Sequence, residues 1–116
     1  RVKEMSFGLN AAQARAKANA DLIVFEEVYA IMKEVINQSA TGAYEAYVAD
    51  GTIMTASTPT TSDSQNYFSA WQGTLQDRAL ISQMENVMRH FVNLGYKIER
   101  VTNTATTTTF KWHIYW

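Results

Sequence analysis

Apolar residues recur at helical spacing through Val24, Val28, Ile31 and Val35, and again through Phe25, Met32 and Ile36, so the pattern predicts one long helix from Asn10 to about Ala40 with a wide apolar face. Asn10 is placed to cap its start, and Thr41-Gly42 supplies the glycine that takes a left-handed conformation after a helix end. The first third of this helix differs in kind. Ala11, Ala12, Ala14, Ala16, Ala18 and Ala20 alternate with Gln13, Arg15, Lys17 and Asn19, a stretch of high helix propensity and little hydrophobic area. It is either a solvated extension or a surface for close packing of another helix. Thirty helical residues span about 45 Å, longer than a small sheet needs, so part of the helix is expected to project.

After Gly42, the alternation of Tyr44, Ala46 and Val48 with Glu45 and Tyr47 has the period of a half-buried strand. Asp50-Gly51 then reads as a two-residue hairpin turn, with Thr52 to Ser57 as the returning strand. Residues 58–66 are polar, contain the single Pro59 and read as a mobile loop. Tyr67-Phe68-Ser69-Ala70-Trp71 is either a short extended piece or an ordered loop, and the extended reading is preferred. Thr74 and Asp77 sit at the spacing of a capping box. Leu80, Met84, Val87 and Phe91, widened by Ile81 and Met88, then predict a second helix ending at Leu94-Gly95, with Glu85 and Arg89 forming an i,i+4 ion pair. Tyr96 to Thr102 alternates as a strand, Asn103-Thr104-Ala105-Thr106 turns the chain, and a last strand carries Phe110, Trp112, Ile114 and Trp116 on one side and Lys111, His113 and Tyr115 on the other.

The pieces predict a single α+β domain over residues 1–116, with two helices packed on one face of a mainly antiparallel sheet of about four strands in the order α-β-β-α-β-β. Trp112 and Trp116 are expected to be buried against Leu80, Met84 and Phe91. Laying Tyr44 on Tyr96 puts Val28 on Leu80, Met32 on Met84 and Val35 on Val87. That is the pattern of an internal duplication, or of two amphipathic helices that each feed a hairpin.

Composition narrows the function. Hydrophobic residues at 47% place the chain among globular proteins, and ten basic against eleven acidic side chains give a net charge of −1, with no global field to draw nucleic acid or an anionic membrane. No apolar run is long enough to span a bilayer, and no secretion signal is read. The chain opens on Arg1 rather than Met, so its start is expected to be processed or truncated. Without cysteine there is no disulfide framework, thiolate nucleophile or Cys-ligated metal. Two histidines complete a thin catalytic stock. Glu26-Glu27 is the single adjacent carboxylate pair, and it reads as the polar edge of the first helix because neighbouring helical positions point about 100° apart. His90 and His113 have no partner at recognised ligand spacing. The reading is therefore non-enzymatic, with no catalytic, metal or cofactor site. The Met residues read as core filling rather than as a groove for a partner helix.

The second half also carries a resemblance. Trp71-Gln72-Gly73-Thr74, Asp77-Arg78, Gln83-Met84, Phe91, Leu94-Gly95-Tyr96, Thr102-Asn103 and the run from Thr109 to Trp116 resemble small uncharacterised proteins of tailed phages of marine cyanobacteria and of marine metagenomes, and Asp21 to Glu27 is similar to the same group. That family has no assigned catalytic residues, so the resemblance transfers no site. It implies a phage gene product, a virion or assembly component found in the host cytoplasm during assembly or in the virion; together with the thin catalytic stock and the alanine-rich helix, this leads to the expectation of a non-enzymatic structural or assembly protein that self-associates or docks on a larger particle. The candidate interaction surface comprises Ala11, Ala14 and Ala18 on the first helix, with Trp71, Lys111, His113 and Tyr115. The alternative is a small binding module whose exposed sheet face takes a peptide or single-stranded nucleic acid. Nucleic acid is the less expected partner, since Glu99 shares a face with Lys97.

Overall fold

The computed structural model describes residues 11–56, 63–104 and 109–116. The elements run α1 (Ala11–Ala40), β1 (Glu45–Val48), α2 (Asp63–Gln72), α3 (Arg78–Asn93), β2 (Lys97–Asn103) and β3 (Thr109–Tyr115). The chain is α+β, with three helices and a three-stranded antiparallel sheet in the order β1-β3-β2 among the described residues. The last strand is central because it carries the bulkiest apolar row. Phe110, Trp112 and Ile114 are fully buried, and register sets Ala46 and Ile98 on either side of Ile114, and Val48 and Arg100 on either side of Trp112.

α1 packs on β1 and α3, while α2 packs on β3 and α3. The shared core gathers Ile31 and Val35 of α1, Tyr67 and Ala70 of α2, Met84, Val87 and Phe91 of α3, and the inner row of the sheet. α1 and α3 end in the same way. Gly42 and Gly95 adopt φ of 86° and 97°, where a β-carbon would be strained. The two amides that follow each helix turn back onto its last carbonyls: Gly42 to Ser39 and Ala43 to Gln38, Gly95 to Val92 and Tyr96 to Phe91.

Several expectations are corrected. The sheet has three strands rather than four among the described residues, because Thr52 to Ala56 forms turns closed by the Asp50 amide donating to the Thr55 carbonyl, and β1 takes β3 as its neighbour instead. The duplicated pattern thus covers a helix and a strand and stops there. Residues 58–66 are expected as a loop and Tyr67–Trp71 as an extended piece, whereas Asp63–Gln72 is helix α2; residues 57–62 lie outside the described set. Ser64, Tyr67 and Ala70 form its buried stripe at three-residue spacing. Trp71 therefore sits on a helix, with its ring edge-on to Phe68 and Phe110. Asp77, rather than Thr74, caps α3, accepting from the Ala79 and Leu80 amides, while the Thr74 hydroxyl donates to the Ser69 carbonyl. Arg89 bonds Asn86 rather than pairing with Glu85. Trp112 is fully buried as expected, but Trp116 is exposed: its amide donates to the Tyr44 carbonyl and its ring meets the edge of Tyr96 at the end of the sheet. The expected cap at Asn10 and the turn residues Ala105 and Thr106 lie outside the described residues.

Candidate functional site

The wide apolar face expected of α1 divides into two. Ile31 and Val35 are buried and Val24 and Val28 half-buried, so this set faces the core. The other set faces outward: Leu22, Phe25, Tyr29 and Ile36 are each more than half exposed, and Met32, half-buried, completes their row. The row advances by three, four, three and four residues, the heptad spacing that keeps a stripe in line along a helix meeting another helix. Its centre lies about 110° around α1 from the core-facing stripe, at roughly 100° per residue. The side chains of Tyr29, Met32, Lys33 and Ile36, with Asn37 at one end, line an open hollow on this row.

The alanines proposed from sequence lie upstream of this row. Ala11, Ala14 and Ala18 are exposed, and Ala11 and Ala18 continue the same three-four spacing with Arg15 between them. Sequence reasoning named the small residues and missed the large ones, because Phe25, Met32 and Ile36 merge with the core-facing set in a periodicity count. The three-four spacing from Leu22 groups these residues into one row, but Val24, Val28, Ile31 and Val35 keep the same spacing, so burial tells the two rows apart.

The outer face of the sheet holds Lys111, His113 and Tyr115 together, while Trp71 lies in the helical layer with the Arg100 guanidinium 5.6 Å from its ring centre. His113 is at the centre of this face. Its Nδ1 lies 2.7 Å from a Glu99 carboxylate oxygen and its Nε2 2.8 Å from one of Glu45, so strands β2 and β1 each supply a carboxylate to the central strand. The Glu99 hydrogen bond, reinforced by that with Glu45, raises the His113 pKa above its ordinary value against a smaller opposing effect of desolvation. Tyr47 and Tyr115 stack on the imidazole at centroid distances of 4.4 and 4.8 Å, and the Lys111 ammonium lies 4.9 Å from the Tyr47 ring centre. Nothing in the local sequence marks these carboxylates: strand pairing sets Glu99 directly beside His113 and brings Glu45, opposite Tyr115, within reach from the other side. His90 is exposed near the end of α3, edge-on to Phe91.

Glu27 is also placed differently from the linear reading. It is buried rather than on a solvated edge, only 1% exposed, and accepts hydrogen bonds at Oε2 from the Trp112 indole N–H at 2.7 Å and the Thr52 hydroxyl at 2.6 Å. Burial raises its pKa to about 7, against hydrogen bonds from Thr52, Trp112 and the Met54 backbone that pull it down. Through this carboxyl α1 is tied to both the 50–56 turn and the central strand. Thr52 in turn meets the Thr55 hydroxyl at 2.8 Å and accepts from the Thr55 amide.

Among the described residues, no group of three or more His, Asp or Glu side chains has metal-binding geometry, and no helix is long and apolar enough to cross a membrane. Compared with known protein families, with curated proteins and with solved structures, the chain gives no match.

Proposed function

We propose that this protein is a non-enzymatic structural or assembly component, of the kind the phage resemblance implies, that works by self-association and docking through the outer face of α1. The observation that carries this reading is the row Leu22, Phe25, Tyr29, Met32 and Ile36. It places large apolar side chains in water at heptad spacing, an arrangement that a second helix can cover along its whole length with a gain in free energy. The exposed alanine-rich start of α1 continues the same row with Ala11 and Ala18, small enough for close backbone approach, on either side of Arg15.

The sheet face is a weaker candidate for a nucleic-acid or peptide platform. Tyr47 and Tyr115 already stack on His113, and Glu45 and Glu99 set negative charge where phosphate would lie. Both His113 nitrogens are engaged by carboxylates, so a base role there would require breaking one of those bonds. Glu27 touches donors that satisfy it and ties elements together, which is a structural role.

The test is a Phe25→Glu, Tyr29→Glu double variant, with sedimentation velocity and far-ultraviolet circular dichroism measured beside wild type. Loss of the assembled species with an unchanged spectrum supports the reading. An assembly that survives both substitutions contradicts it.

A further inference from the structure

Resting on the reading that α1 docks through its outer face, we infer that the occupant of that face is the same face of a second copy, with the two α1 helices antiparallel about a two-fold axis near Ala30. Three features converge on this pairing. In an antiparallel heptad pair, each position of one type meets the alternate type across the axis. Phe25 then faces Ile36 of the second copy and Tyr29 faces its Met32, so the four central layers are built from the outward-facing Phe25, Tyr29 and Ile36 together with Met32, which is half-buried against the chain's own core and keeps part of its side chain in the hollow.

The hollow supplies the second feature. A knob from one helix inserts among four residues of the other at spacing i, i+3, i+4, i+7, and Tyr29, Met32, Lys33 and Ile36 have that spacing and line an open depression. In this register the knob opposite Met32 is Tyr29 of the second copy. Two-fold symmetry repeats the insertion on the other side of the axis.

Charge decides the direction. The exposed flank of the row carries Glu26 and Lys33, while the other flank is occupied by Val28 and Val35, which pack towards the chain's own core. Antiparallel pairing in this register sets Glu26 of each copy beside Lys33 of the other, giving two symmetric ion pairs. Parallel pairing would set Glu26 beside Asp21 of the second copy, a like-charge contact, and would leave Lys33 facing the flank of Val28. Asp21 is already paired within its own helix to Lys17 at 3.0 Å.

The chain has no cysteine, so introduced thiols report the arrangement directly. Phe25→Cys and Ile36→Cys chains are prepared separately, then mixed and oxidised. The inference expects a disulfide-linked dimer from the mixture and only unlinked chains, by denaturing non-reducing electrophoresis, from either variant alone, because positions 25 and 36 lie about 16 Å apart along the helix axis at roughly 1.5 Å per residue. Cross-linking of either variant with itself would establish the parallel arrangement and overturn the inference while leaving docking through α1 intact. No cross-link in any combination, with wild type dimeric, would overturn the register. A wild-type chain that is monomeric would remove both the inference and the self-association on which it rests. As a second arm, Glu26→Lys and Lys33→Glu should each weaken the wild-type dimer on the order of tenfold, from two exposed pairs turned repulsive, and the double reversal should restore it. Additive weakening in the double variant would count against the pairing.

Discussion

Replacing Glu27 by Gln should change how stability depends on pH more than it changes stability itself. The carboxyl is buried and its pKa rises from 4.5 to about 7 in the folded chain, so between those values the folded state binds more protons than the unfolded state. Stability from this group is therefore complete below about pH 4.5 and is lost as pH rises through about 7. The shift corresponds to roughly 3 kcal/mol at about 1.4 kcal/mol per pH unit. Gln keeps an acceptor oxygen for the Trp112 indole and the Thr52 hydroxyl but does not titrate. Urea unfolding of wild type and Glu27→Gln, followed by tryptophan fluorescence from pH 4 to 8.5, isolates this contribution as the difference between the two curves, since shared groups cancel. The wild type should lose its relative advantage with rising pH, by an amount on the order of 3 kcal/mol across the range. A difference that stays constant with pH would refute the buried, proton-retaining clasp.

Trp112→Ala should cost about 3–5 kcal/mol in denaturant unfolding, the range for a large aromatic lost from a core, and Trp112→Phe about 1–3 kcal/mol, because it leaves Glu27 short of a donor. Asp77→Ala should cost about 1 kcal/mol through loss of the α3 cap, with Thr74→Ala costing less; equal losses in thermal unfolding would argue against Asp77 as the cap. His113 should titrate above 6.5 by NMR, and Glu99→Gln should lower its midpoint more than Glu45→Gln does. The stability it contributes is complete below pH 6.5 and is lost as pH rises through that elevated midpoint, so it declines in the same direction as the contribution of Glu27.

The legible parts of the fold were those whose spacing repeats over many residues. α1, α3 and the β2–β3 hairpin follow from stripes such as Leu80, Met84, Val87 and Phe91, and from the alternation that buries Phe110, Trp112 and Ile114. α2 was not legible because two of its three buried positions, Ser64 and Ala70, are too small to register as an apolar stripe. The returning strand failed for a different reason. Asp50-Gly51 is a competent local turn, and Asp50 does adopt a positive φ of 65°, but β1 gains more by pairing with the apolar strand at the far end of the chain. The site residues share that dependence on distant partners. Glu27 meets Thr52 and Trp112, 25 and 85 positions away, and His113 meets Glu45, 68 positions away, so neither environment has a local trace. The outer apolar row of α1 was readable in principle. Its spacing lies wholly within one helix, yet only the burial of Ile31 and Val35 shows which of the two apolar stripes remains outside.

The most direct test of docking through α1 is the absolute mass of the wild-type chain by light scattering after size exclusion, over a range of concentrations. The account predicts a species of twice the 13.1 kDa chain mass that falls to a single chain when Phe25 and Tyr29 are both replaced by Glu. A wild-type chain that keeps the single-chain mass up to the highest concentration reached would contradict it.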